Sequence, residues 1–515
     1  MAAARLHSEM FTPMDAAWWH MEDPTSMTMI TGVMTFDGPI DIERLKATLQ
    51  QRFLTYRRFR QRVREPRFGI GLPRWETDPH FELSSHIHRI ALPSPGDQTA
   101  LEELVGDLMS TPLDYTKPLW QLHIVENCAD NKGAMIVRLH HCIADGLALV
   151  RVLLSLADTD PEAPWPQPQE ETERRRDLMT RILTPAIQAY TVVEHAAASA
   201  GRLLDEGTEA LSDPARRQDI AKFGVSATRA FGKLLLTPPE RKTSLKGRTR
   251  VPKRAAWSSS VELADIKAIG RLMNGTVNDV LLAAVAGGLR RYLAARGEAT
   301  DGLNLRAMVP VSLRPPEAAD TLGNYFGLII LSLPVGIVDP MRRLAVLKRR
   351  MDKIKGTPEA IVAFGILNVI GASPVTVEKA MMAFFAAKIS AVMTNVPGPS
   401  EQLYFVGVPL SGLMFWVPTP AQLGLGISII SYAGKVMVGF ATDASLAPNP
   451  KEIVAGFEAE VAEMQSWLHA APEPEEVAQS IEPARCQALT KEGKPCKNRA
   501  LPGKTKCRVH SQSDA

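Results

Sequence analysis

The stretch RLHHCIADGLAL, residues 138–149, decides how this chain is read. It begins inside an apolar run, AMIVRLHHC (134–142), that suits a buried strand. It ends in GLALVRVLLSLAD (146–158), whose apolar spacing suits a helix. The turn IADG lies between them. Neighbouring residues of a strand point to opposite faces, so only one of His140 and His141 faces a given cleft. A neutral imidazole, with a pKa of about 6.5, can take a proton near neutral pH. Asp145, in the turn, can accept backbone N–H groups or pair with an arginine. Gly146 permits a backbone closed to other residues, or close approach by a substrate. Two readings of the twelve residues stand at this point. Either the histidines are satisfied core residues and Asp145 caps the helix, or His-His-x-x-x-Asp-Gly is a catalytic string at a strand-to-helix junction, where sites commonly sit.

Outward from this stretch, residues 1–160 alternate strand-like and helix-like segments. MTMITGVMTFDG (27–38) reads as a strand, and IDIERLKATLQQRFLTYRRFRQRV (40–63) has apolar residues at helical spacing with a basic outer face. Residues 120–142 read as a hairpin turning at Asp130–Gly133. Residues 161–254 are a linker: proline-rich and charged at first, Ala-rich and helical over 181–235, strongly basic at 238–254. Helix–strand alternation resumes over 255–470. A second linker covers 471–483, and a small Cys-containing tail covers 484–512. The 515 residues exceed one hydrophobic core, so two large domains are expected.

Composition narrows the function classes. The net charge of +3 is nearly balanced, and there is no nucleic-acid fold signal. The five cysteines are an odd number, and MAAARLHSEMFTPMD lacks the pattern of a secretory signal, so a reducing cytosol is expected rather than a disulfide framework. Residues 360–377 are uncharged, but Gly365, Gly371 and Pro374 predict a buried helix ending near Ser373 rather than a membrane span.

Several strings together make the chain recognisable. TPMDAAWWHME (12–22), PLDYTKPLW (112–120), TVNDVLLAAVAGGLRRYL (276–293), VPVSLRP (309–315), LGNYFG (322–327) and TNVPGP (394–399) accompany the histidine string in order. Over about residues 10 to 470 the sequence resembles the bacterial wax ester synthase/diacylglycerol acyltransferase family of CoA-dependent acyltransferases. The resemblance implies an α/β fold of two chloramphenicol-acetyltransferase-like domains, each a mixed sheet with flanking helices, joined by the helical linker. It implies acyl transfer from acyl-CoA to diacylglycerol or a long-chain alcohol, with no cofactor for catalysis. His141 would be the general base and His140 its support. Asp145 would hold the turn, most plausibly through an arginine, and Gly146 would leave room beside the base. Asn278 would support the oxyanion site. Its other reading is a helix cap together with Asp279. Asn395 would shape the cleft. A condensation-type enzyme using a carrier-protein thioester and a non-catalytic lipid-surface protein are the alternatives.

Three further expectations concern partners. The basic run from Arg241 to Arg254, with Arg248 and Arg250 at its centre, is either a solvated face or a site for CoA phosphates or an anionic membrane. Long-chain substrates imply peripheral contact with a membrane or lipid droplet, at the inner face of the plasma membrane. Cys486, Cys496, Cys507 and His510 make a full tetrahedral zinc set in a tail too small for its own core, and a structural zinc is expected there in preference to a disordered tail.

Overall fold

Two seven-stranded sheets carry the fold of the computed structural model. It describes residues 8–66, 71–166, 232, 236–314, 322–355 and 359–470. Residues 1–462 make one compact unit, to which everything below refers; 463–515 make a second, of which the described residues are helical. The first half of the chain supplies strands β1 (Ser8–Met10), β2 (Met29–Phe36), β3 (Gln61–Arg64), β4 (Arg74–Thr77), β5 (Ile87–Ala91), β6 (Trp120–Glu126), β7 (Gly133–His140) and β8 (Ala157–Asp158). The second supplies β9 (Lys253–Trp257), β10 (Val261–Glu262), β11 (Leu305–Ser312), β12 (Phe326–Leu333), β13 (Ala391–Pro397), β14 (Tyr404–Phe405), β15 (Val408–Trp416), β16 (Leu425–Tyr432) and β17 (Lys435–Asp443).

The first sheet runs β5-β6-β7-β2-β15-β14-β8. Its β5–β6 pair is parallel and β6–β7 is antiparallel, so the sheet is mixed, as expected. Strand β7 lies between β6 and β2, and every residue in it is buried. That is why AMIVRLH reads as a continuous apolar run rather than an alternation. The second sheet runs β10-β17-β16-β13-β11-β12, with parallel pairs at β11–β13 and β13–β16. The chain does not part at the linker. Strand β15, from the second half, pairs antiparallel with β2, Leu413 opposite Met34 and Trp416 opposite Thr31. Two-sided burial gives a strand the same apolar signature whichever sheet it joins.

The helices that position the site are α1 (Pro13–His20), α2 (Ile42–Thr48), α3 (Gln98–Met109), α4 (Gly146–Leu154), α5 (Leu263–Leu272), α6 (Val277–Ala295), α7 (Pro340–Lys355), α8 (Glu359–Gly371) and α9 (Val375–Ala386). The helix expected in 360–377 ends at Gly371, close to the expected Ser373, but it is not buried all round. The stretch breaks at Ala372–Pro374 into α8 and α9, and Val369 is 65% exposed. Lack of charge predicted burial on both sides; the hairpin buries one face only. Among the described residues no single helix is long and apolar enough to cross a membrane.

Candidate active site

The site grows from the end of β7. His140 is the last residue of the strand, opposite Met29. The chain then turns. The His141 amide donates to the Thr28 carbonyl at 2.8 Å, and the Ile143 amide to the His140 carbonyl at 3.1 Å. Asp145 is the N-cap of α4, its carboxylate accepting the Ala148 amide at 2.9 Å. A cap of this kind contributes about 1 kcal/mol. The cap expected of Asp145 is thus present, and it fixes the turn that follows His141.

The two histidines part as strand geometry requires. His140 Nδ1 accepts the Cys142 amide at 3.2 Å, which leaves Nε2 as the N–H that donates to Thr28 Oγ1 at 2.9 Å. Glu22 closes this network, 3.4 Å from His140 Nε2 and bonded to the Tyr115 hydroxyl. His141 points the other way, into a cavity of about 70 Å³ that it shares with Trp18, Asp145, Gly146, Ser312 and Thr394. Trp18 stacks on the imidazole with centroids 3.9 Å apart, a contact worth about 1 kcal/mol beyond its buried area. Burial pushes the His141 imidazole down to about 4, against the opposing pull of the Asp145 charge. The ring is therefore neutral at pH 7 and able to accept a proton. Cys142 is wholly buried, and burial pushes its thiol well up, so it stays protonated and is no nucleophile.

Both Asp145 oxygens are bonded to groups other than the His141 ring. Asp145 Oδ1 caps α4, and Oδ2 accepts Arg314 Nη2 at 2.7 Å and the Tyr325 amide at 3.0 Å. Arg314 is the arginine the sequence left unnamed. It follows β11 within VPVSLRP, and it also donates to the Gly323 carbonyl at 2.7 Å. Asn324 binds the turn from the same loop, donating to the His141 carbonyl at 3.1 Å and to Asp15 at 2.8 Å. Gly146 is not in the left-handed region, and a Cβ there meets open space. The glycine is therefore not required by its backbone conformation, and it borders the cavity that His141 lines.

Other expected residues lie elsewhere. The second sheet alternates across its thickness: Met308, Ser312, Leu328, Val392 and Thr394 face the His141 cavity. Val309, Val311, Ile329, Met393 and Asn395 face a separate cavity of about 450 Å³ on the other side. Asn278 lines that second cavity and bonds to Asn395. The structure therefore does not bring Asn278 to His141, because α6 docks on the far face of the sheet. Asp279, the third residue of α6, is buried and closes a capping box with Thr276. Arg248 and Arg250 are exposed and line neither cavity. Three members of the basic run face openings instead: Lys242 and Lys246 in a chamber of about 510 Å³, and Lys253 in a small cavity of about 40 Å³. Cys486, Cys496, Cys507 and His510 lie outside the described residues, as does the predicted helical segment 181–235 apart from residue 232.

A histidine held neutral between two mixed sheets, on a turn locked by a buried aspartate–arginine pair, defines a two-sheet acyltransferase-like architecture, and comparison with known proteins agrees. The chain matches the wax ester synthase/diacylglycerol acyltransferase catalytic domain over residues 11–281 and the C-terminal domain of the same family over 322–465. It is 30% identical over 462 residues to the "Probable diacyglycerol O-acyltransferase tgs1" of Mycobacterium tuberculosis H37Rv, covering 88% of this chain and 95% of that one. It is similar in structure to the wax ester synthase/diacylglycerol acyltransferase of Marinobacter aquaeolei VT8, with TM-score 0.62 and 22% identity over 89% of this chain and 98% of that one. The first condensation domain of the calcium-dependent antibiotic synthetase shares the fold at TM-score 0.56 and 14% identity, over 89% and 96% of the two chains. The chain belongs to the wax ester synthase/diacylglycerol acyltransferase family and is an acyltransferase.

Proposed function

We propose that this enzyme transfers an acyl group from acyl-CoA to the hydroxyl of diacylglycerol or a long-chain fatty alcohol, with His141 as general base. The observation that carries the reading is a buried, neutral His141 at the cavity between the sheets, while both Asp145 oxygens are occupied elsewhere. His141 takes the hydroxyl proton as that oxygen attacks the thioester carbonyl. The tetrahedral intermediate collapses with cleavage of the C–S bond, and the imidazolium returns the proton to the CoA thiolate. Both substrates are bound together, so orientation supplies much of the rate. Ser312 and Thr394 are the hydroxyls on the opposing wall that suit the developing oxyanion, in the place first given to Asn278. Trp18 is a positioning residue that fixes the plane of the imidazole.

Its acceptors being insoluble, the enzyme works at a lipid surface, on the cytoplasmic face where acyl-CoA is found. From sequence alone, the tail cysteines with His510 are proposed to hold a structural zinc; metal analysis of the full chain is expected to find about one equivalent, and less than about a third of an equivalent overturns this. The test of the main reading is thiol release from palmitoyl-CoA with diacylglycerol or hexadecanol. His141→Ala is expected to lower turnover by about 10²–10⁴-fold. Unchanged turnover in that variant removes His141 from the chemistry.

A further inference from the structure

The α8–α9 hairpin presents an apolar face to solvent. Val369 is 65% exposed, Val377 and Phe384 46% each, and Val375 40%. Ala372, Pro374, Ala380 and Ala383 are exposed beside them. Contiguous exposed apolar surface of this kind marks an interaction site. From the first residue of α8 to residue 400 the charged residues are Glu359, Glu378, Lys379 and Lys388. Glu378 is fully buried and tied to His20 at 3.1 Å. Lys379 is exposed, and Lys388 Nζ lies 4.0 Å from the centroid of the Phe384 ring. The hairpin thus shows solvent an apolar face whose exposed cation is Lys379, with Lys242 and Lys246 on the same adjoining chamber; Lys388 is buried, and the exposed acid Asp23 also lines that chamber.

This face is held outward by close packing behind it. A Cβ on Gly371 would come within 1.8 Å of the Pro13 carbonyl, so the tip of α8 is seated on α1. At about 1.5 Å per residue, α8 reaches roughly 20 Å, short of a hydrocarbon core of about 30 Å. Such a hairpin lies in the interface rather than crossing it. It also adjoins an opening: Lys379, Met382, Ala383 and Ala386 of α9 line the 510 Å³ chamber together with Lys242 and Lys246. Ile389 and Leu423 of that chamber pack with Met308 and Val392 of the His141 cavity, so one small apolar cluster separates the two.

We propose that the α8–α9 hairpin docks the enzyme on an anionic phospholipid bilayer, with the adjoining chamber as the entry for acceptor lipid. The identity of the entering molecule rests on the acyltransfer reading above; the docking does not.

Co-sedimentation with vesicles of phosphatidylcholine and a minority of phosphatidylglycerol tests the docking. The triple variant Val369→Glu, Val377→Glu, Phe384→Glu is expected to bind at least about tenfold more weakly than the wild type. A control pair, Val338→Glu with Met341→Glu, alters exposed apolar residues at the start of the basic helix α7 and should bind as the wild type does. Val377→Trp should show blue-shifted emission on these vesicles and quenching by brominated lipid. Lys379→Glu should erase the preference for vesicles containing phosphatidylglycerol over pure phosphatidylcholine. Wild-type binding by the triple variant, loss of binding in the control pair instead, or a Val377→Trp probe that stays in water overturns the proposal. Turnover with a short water-soluble alcohol separates the two readings. The triple variant should keep it, and a wild type inactive with every alcohol defeats the acyltransfer reading while the vesicle results still decide the docking.

Discussion

Arg314 Nη2 lies 2.7 Å from Asp145 Oδ2, with both side chains all but excluded from solvent, and this bond ties the second half of the chain to the turn that carries His141. Removing one partner strands the other as a buried charge, which costs about 3–5 kcal/mol. Asp145→Ala and Arg314→Ala are each expected to lower unfolding free energy by that order in urea titrations. The double variant should lose less than the sum, because the two residues share one interaction. Strict additivity would mean that the bond is not a unit. Asp145→Asn keeps an oxygen for the Ala148 amide, so it should retain more of the helix cap than Asp145→Ala.

Gly146 makes a sharper test of the site, because stability and activity should move in different directions. It is the first residue of α4 and borders the His141 cavity, and a Cβ there meets open space. Gly146→Ala is expected to fold at least as well as the wild type, with a gain of up to about 0.5–1 kcal/mol from reduced freedom of the unfolded chain. The added methyl group occupies part of a cavity of only about 70 Å³, so turnover should fall about tenfold or more. A variant that is more stable and equally active would show that substrate does not come close to this backbone.

Asn278 and His141 should respond independently. Asn278 sits across the thickness of the second sheet from His141 and bonds to Asn395. Asn278→Ala should therefore cost about 1 kcal/mol, the price of a lost hydrogen bond. Its kcat should stay within about threefold of the wild type. A loss of kcat comparable to that of His141→Ala, with thermal stability unchanged, would restore Asn278 to the reaction.

These contrasts show where the sequence was legible. The junction at 138–149 could be read because strand, turn and helix are local, and strand alternation alone separates His140 from His141. The need of Asp145 for an arginine could be stated, but Arg314 lies 169 residues away, and only the docking of the second sheet selects it. Trp18 lies in a recognised string, TPMDAAWWHME; that its ring stacks on the His141 imidazole depends on how α1 is seated. Asn278 failed differently. Its neighbourhood in sequence fits a cap and a site equally well, and the deciding fact is which face of the sheet receives α6. Strand β15 reads as buried whether it joins its own sheet or, as it does, the first.

The depressed His141 fixes the sign of two pH effects. Burial holds it at about 4 in the folded enzyme, against about 6.5 when unfolded. As pH falls below about 6.5, the unfolded chain takes up a proton that the folded one refuses, so its contribution to stability is full above that pH. The contribution declines down to about 4, a loss of about 3 kcal/mol in all. His123, pushed by burial to about 3, adds a term of the same sign. His141→Gln should therefore flatten the dependence of unfolding free energy on pH between about 4 and 6.5 by close to one proton, and leave the His123 share in place. For the reaction, only the neutral imidazole accepts a proton, so kcat/KM should hold level from pH 8 to about 5 and fall near 4. Trp18→Ala uncovers the ring to water and should move that acid limb upward toward about 6.5, with a loss of rate at every pH. A wild-type limb already at about 6.5 would mean that the imidazole is solvated when substrate binds, and the buried-base geometry would not be the reacting one.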